Sequence, residues 1–168
     1  ITKIDHSTVI TLESGADIRS ATGHAIYNNY GDSDTIVNTG AKVTGTIFLD
    51  DGDDNLTFAG GAFSGVTPFD GGEDIGVADG WIDTLTFAGS SGAVAGASAV
   101  NWEQVIIDAG SVISFSDEML TTLSLTTSNG GTLDARRSNF ILAGDLINDG
   151  IVNMQDGATG DSVSASGD

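Results

Sequence analysis

Three stretches of the chain repeat one alternation of apolar and polar positions. Asp34–Gly45 reads DTIVNTGAKVTG, Asp54–Gly65 reads DNLTFAGGAFSG and Asp83–Gly96 reads DTLTFAGSSGAVAG. Each begins with Asp, runs through a short alternating strand to a Gly, and continues in a second short strand that ends in Gly. Successive side chains of a strand point to opposite faces. Leu56 and Phe58 therefore share one face, and Leu85 and Phe87 repeat it. In the first copy the same reading puts Ile36 inward, with Asn38 at the aromatic position. The Gly after each strand permits a sharp bend.

Other short strands are expected at Thr8–Leu12, Ala25–Tyr27, Thr46–Leu49, Val105–Asp108, Val112–Phe115, Thr122–Leu125, Phe140–Ala143, Ile151–Met154 and Ser162–Ala165. They are too short and too many for a doubly wound α/β fold. No window holds a helical period, and the best helical candidate is one turn at Ser116–Leu120, with Ser116 as cap. A strand pair that recurs about every 20 residues suits the coils of a solenoid, in which stacked neighbours bury what one coil cannot. The expected fold class is all-β, a parallel β-helix. Eight or so coils would give a rod on the order of 40 Å long. The rival is a β-sandwich, which would use hairpin turns such as Asn129-Gly130.

One interval breaks the period. Between the second and third copies lie about nine extra residues, placing an insertion near residues 67–82 that holds Pro68, Phe69, Asp70, Glu73, Asp74 and Trp81. Solenoid insertions form loops on one side, often the binding side. The whole of 1–168 is otherwise read as a single unit, with no signal peptide and no membrane-spanning run.

Composition narrows the partners. The 168 residues carry 24 Asp and Glu against 5 Lys and Arg, a net charge of −19, and no Lys or Arg occurs from Val43 to Ala135. Phosphate backbones and anionic lipid surfaces are repelled, so no nucleic acid and no membrane insertion are expected. A basic partner or a divalent cation suits the charge better. No Cys is present, which excludes disulfides and thiolate chemistry.

The order of several segments carries a family resemblance. Residues 23–58, GHAIYNNYGDSDTIVNTGAKVTGTIFLDDGDDNLTF, resemble the passenger repeats of Gram-negative autotransporters. GGEDIGVADGWIDTLTFAGSSGAV (71–94), NWEQVIIDAGSVISF (101–115) and GIVNMQDGATGDSVSASGD (150–168) extend the likeness toward pertactin-like passengers. The resemblance implies a right-handed parallel β-helix exported by type V secretion, with its own C-terminal translocator barrel in the full-length protein. It implies an extracellular location, at the bacterial cell surface and outer membrane or secreted after cleavage. The family holds adhesins, released effectors and enzymes, and the fold does not choose among them.

Candidate chemistry is sparse. Asp50, Asp51, Asp53 and Asp54 lie in an acidic turn that matches half of a calcium-binding nonapeptide repeat, so calcium is the one cofactor considered. The Gly pair that opens such a repeat and its tandem copy are both missing. GDSD (31–34) has the order of some serine nucleophiles, but Asp34 puts a further negative charge beside a developing oxyanion. His6 and His24 do not have metal-pair spacing. Trp102 is expected to pack across a coil corner. The expected function is non-catalytic: an adhesin or virulence-associated effector that binds a host cell surface protein or receptor. Its candidate contacts are Phe69, Asp70, Glu73, Asp74, Trp81, Arg136 and Arg137. The alternatives are an enzyme acting on polysaccharide and a structural stalk that displays another domain.

Overall fold

The computed structural model describes residues 7–72, 78, 80–116, 119–122, 124–134, 139–142, 144–153 and 162–165. The chain winds as a parallel β-solenoid of about six turns. The first two coils hold β1 (Thr8–Leu12), β2 (Asp17–Tyr27), β3 (Ser33–Asn38) and β4 (Lys42–Phe48). The next two hold β5 (Asn55–Ala59), β6 (Val66–Asp70), β7 (Thr84–Ala88), β8 (Ser91–Ala95) and β9 (Ala99–Val100), with a single 3₁₀ turn at Gly96–Ser98. Then come β10 (Gln104–Ile107), β11 (Val112–Ser116), β12 (Met119–Thr122), β13 (Ser124–Thr127), β14 (Thr132–Asp134) and β15 (Asn139–Leu142). The last strands are β16 (Leu146–Asn148), β17 (Ile151–Asn153) and β18 (Ser162–Ala165).

These strands build three walls. The first is a seven-stranded sheet ordered β1-β3-β5-β7-β10-β13-β16, and the second is β8-β11-β14-β17. The third consists of β2-β4-β6-β9 followed by β12-β15-β18. All strand pairings among the described residues are parallel, which excludes the sandwich. Asn129-Gly130 turns the chain from one wall to the next, between β13 and β14, and makes no hairpin.

The pairing of the first wall fixes where each coil begins. Thr8 pairs with Ser33, Asp34 with Asn55, Asn55 with Thr84, Thr84 with Gln104, Gln104 with Ser124 and Leu125 with Leu146. Hydrogen bonds between equivalent corner positions measure the coil lengths. Ser33 to Asp54 spans 21 residues, Asp54 to Asp83 spans 29 residues and Asp83 to Glu103 spans 20 residues. The long third coil holds the expected insertion, and its extra residues follow β6, after Asp70. Pro68 and Phe69 belong to the strand itself.

Three expectations are corrected. The turns number about six, against the eight or so expected from the 20-residue period. The register sets Asp34 against Asn55, so Thr35 and Val37 point inward, while Ile36 and Asn38 lie half-exposed on the outer face. The equivalent of Asp54 in the coil before it is Ser33, one position earlier than the repeat-opening Asp34. A shift of one residue exchanges the faces. Ser116–Leu120 is not helical where it is described: Ser116 ends β11, and Met119 and Leu120 begin β12. Pairing with the neighbouring coil overrides the weak local cap.

The core is one continuous column. Phe58 and Phe87 stack at 5.8 Å between centroids, and Phe63 meets both edge-on at 5.4 and 5.2 Å. Leu56, Leu85, Val105 and Leu125 form a second fully buried row beside them. At the corner between the first and second walls the Ser90 hydroxyl donates to the Phe58 carbonyl at 2.7 Å and accepts the Gly60 N–H at 3.0 Å. Ser111 repeats this one coil on, donating to the Phe87 carbonyl at 2.8 Å and accepting the Ser90 N–H at 3.1 Å.

Candidate interaction surface

At the corner before the first wall, three acids stack in register. Asp54 Oδ1 accepts the Ser33 N–H at 2.6 Å, Asp83 Oδ1 accepts the Asp54 N–H at 2.8 Å, and Glu103 Oε2 accepts the Asp83 N–H at 2.7 Å. Each carboxyl thus satisfies the N–H of the equivalent residue in the preceding coil, at a turn where the strand ladder offers no carbonyl. All three side chains are buried. Burial, with Asp83 as neighbour, pushes the Asp54 carboxyl up to about 8.

The third-coil insertion is anchored at both ends. At its start, Gly71 donates to the Val100 carbonyl at 3.1 Å, and Asn101 donates to Asp70 Oδ1 at 2.9 Å and to the Gly72 carbonyl at 2.8 Å. At its return, the Ile82 N–H donates to Asp53 Oδ1 at 2.6 Å and the Thr84 N–H to the Asp54 carbonyl at 2.7 Å. Trp81 and Ile82 are exposed there, at 38% and 41%.

The predicted residues fall into distinct places. Trp81 lies on the loop surface and Asp70 is half-buried at its base. Phe69, expected at the contact, points instead into the core, 6.1 Å from Phe58, because strand alternation turns it inward. Glu73, Asp74, Arg136, Arg137 and His6 lie outside the described residues. Asp53 and Asp54 both cap backbone N–H groups, and no group of three or more metal-ligating side chains occurs among the described residues. Burial, and then Asp51, raise the Asp50 carboxyl above its ordinary range. Ser33 of the GDSD turn is buried beneath the corner. Trp102 packs across the corner as expected, fully buried, with Nε1 donating to the Phe69 carbonyl at 3.1 Å.

One surface feature escaped the sequence reading. Tyr27 and Phe48 face outward in register and stack at 5.6 Å with planes 10° apart. His24 leans on both rings, at 5.0 and 5.6 Å. The available signal was the recurrence of Ala25-Ile26-Tyr27 as Thr46-Ile47-Phe48 one coil later, in which the central Ile is core and the aromatic is outward.

Comparisons with protein-family models, with curated proteins and with solved structures find no match.

Proposed function

We propose that the chain is a non-catalytic passenger segment of an autotransporter-like surface protein and works by binding a protein on host cells. The observation that carries this reading is the third coil. It spans 29 residues, against 21 in the coil before it and 20 in the coil after it. Its loop brings Trp81 and Ile82 to the surface between anchored ends. Rigid strands that present one exposed loop with an aromatic side chain suit recognition. The acidic surface favours a basic partner. The segment resemblance described above supports an extracellular location, on the cell surface or after release.

The test is saturable binding of fluorescently labelled chain to cultured animal cells. A variant with residues 73–80 replaced by Ser-Gly and Trp81→Ser is measured alongside. Saturable binding that the variant loses is the expected result. Equal binding by both chains overturns the role of the loop, and no saturable binding overturns the function.

A further inference from the structure

The outer face of the third wall carries a row of stacked aromatic rings. Its outward row runs Tyr27, Phe48, Asp70 and Val100 on four successive strands, fixed by the pairings Tyr27–Phe48, Phe48–Asp70 and Asp70–Val100. Phe48 is stacked on Tyr27 on one side and has Asp70 in register on the other. The Tyr27 hydroxyl donates to Asn29 Oδ1 at 2.5 Å, which fixes the outer ring. His24 supports both rings from the neighbouring position.

Asp70 is the polar end of this row. Asn101 and the Gly72 N–H both bond its Oδ1, at 2.9 and 3.3 Å, and among the described residues Oδ2 takes no hydrogen bond. Burial raises the carboxyl above its usual range. Asp50 and Asp51 follow at the corner after β4, and Arg19 is occupied by Asp17, toward the other end of β2. A face of stacked rings that ends in a carboxylate, on a chain of charge −19, selects for positive charge. Arginine fits best, because its planar guanidinium stacks on a ring while its N–H fork reaches a carboxylate.

We propose that the Tyr27–Phe48 stack, closed at one end by Asp70, is a docking shelf for an arginine side chain carried on a basic protein segment. The inference rests on the reading that the rod works by binding a protein, and it supplies that partner's chemistry. The shelf adjoins the insertion, since Asp70 is the last residue of β6 before the loop begins.

The experiment is fluorescence anisotropy with labelled hexa-arginine, with hexa-citrulline as the neutral isostere and cellohexaose as a neutral sugar competitor. The variants are Tyr27→Ser with Phe48→Thr, Asp70→Asn, and Glu13→Gln. Glu13 is an exposed acid in the turn between β1 and β2, so its variant removes one charge elsewhere. Saturable hexa-arginine binding that weakens on the order of tenfold in the first two variants and not in Glu13→Gln is expected. Equal weakening in all three, or in none, overturns the shelf, as does equal binding of hexa-citrulline or displacement by cellohexaose. Circular dichroism melts check folding. Should the aromatic variant unfold, Asp70→Asn decides, because its amide keeps the acceptor for Asn101. Cell binding without hexa-arginine binding overturns the shelf and leaves the proposed function, and the reverse pattern overturns the function and leaves the shelf.

Discussion

Asp54 holds the Ser33 N–H through Oδ1 at 2.6 Å, and its buried Oδ2 has no partner among the described residues. A carboxylate so placed has exchanged water for one N–H and a row of other acids. Its carboxyl is accordingly pushed up to about 8, by burial first and Asp83 second. At neutral pH the folded chain holds it largely protonated, whereas the unfolded chain releases that proton near the ordinary 3.8. The unfolded state therefore binds fewer protons between those values, and stability falls as pH rises through that window.

Asp54→Asn mimics the protonated acid and keeps the acceptor for Ser33. The variant is expected to melt with the parent near pH 4 and above it at pH 8, the gap widening by at most about 1.4 kcal/mol per pH unit. Thermal melts across that range check the sign. A parent that gains stability toward pH 8 relative to the variant would contradict a buried neutral acid.

Phe58 is the centre of the core column, touching Phe87 face to face and Phe63 and Phe69 edge-on. Phe58→Ala removes the shared partner of three rings and leaves a cavity that stacked backbones cannot close. A loss of about 3–5 kcal/mol in urea unfolding is expected.

The coils were legible because Leu56-Phe58 and Leu85-Phe87 repeat inward positions that only a neighbouring coil can cover. The lengthened third coil was legible as a broken period. The face of Ile36 was not, since Asp34 imitates the repeat-opening Asp while the backbone sets Ser33 opposite Asp54. Nor was the burial of Asp54, Asp83 and Glu103. An acid in a Gly-rich turn reads as solvated, and only the register shows that each carboxyl replaces a missing backbone acceptor. The Tyr27–Phe48 stack was hidden by the register shifts between Arg19 and Ile26, which disguise the match between β2 and β4.

Gly61 lies where the first wall turns into the second. A Cβ there would meet the carbonyl oxygen of Val37 and its side chain, and Gly131 faces the Ile107 carbonyl in the same way. Where the corner holds Ser90 or Ser111, the hydroxyl uses such a carbonyl as its acceptor instead. Gly61→Ala has no such bond to gain and must push two coils apart. A destabilisation of about 1–3 kcal/mol is expected in urea unfolding.

The two tryptophans report separately on core and loop. Trp102 is fully buried with Nε1 bonded to the Phe69 carbonyl, while Trp81 is 38% exposed. Trp102→Phe loses the indole bond to that carbonyl and part of the ring's packing, at a cost of about 1–3 kcal/mol. Its remaining fluorescence, from Trp81, is expected to be red-shifted and readily quenched. Trp81→Phe leaves emission from Trp102, blue-shifted and protected from acrylamide until the chain unfolds. Charge adds a further discrimination, because acids repel iodide and attract caesium. With each ion's quenching scaled to that of free tryptophan amide, caesium is therefore expected to quench Trp81 more strongly than iodide, with the difference vanishing at high salt. Equal scaled quenching by the two ions at low salt would mean that the loop surface around Trp81 does not share the chain's negative field.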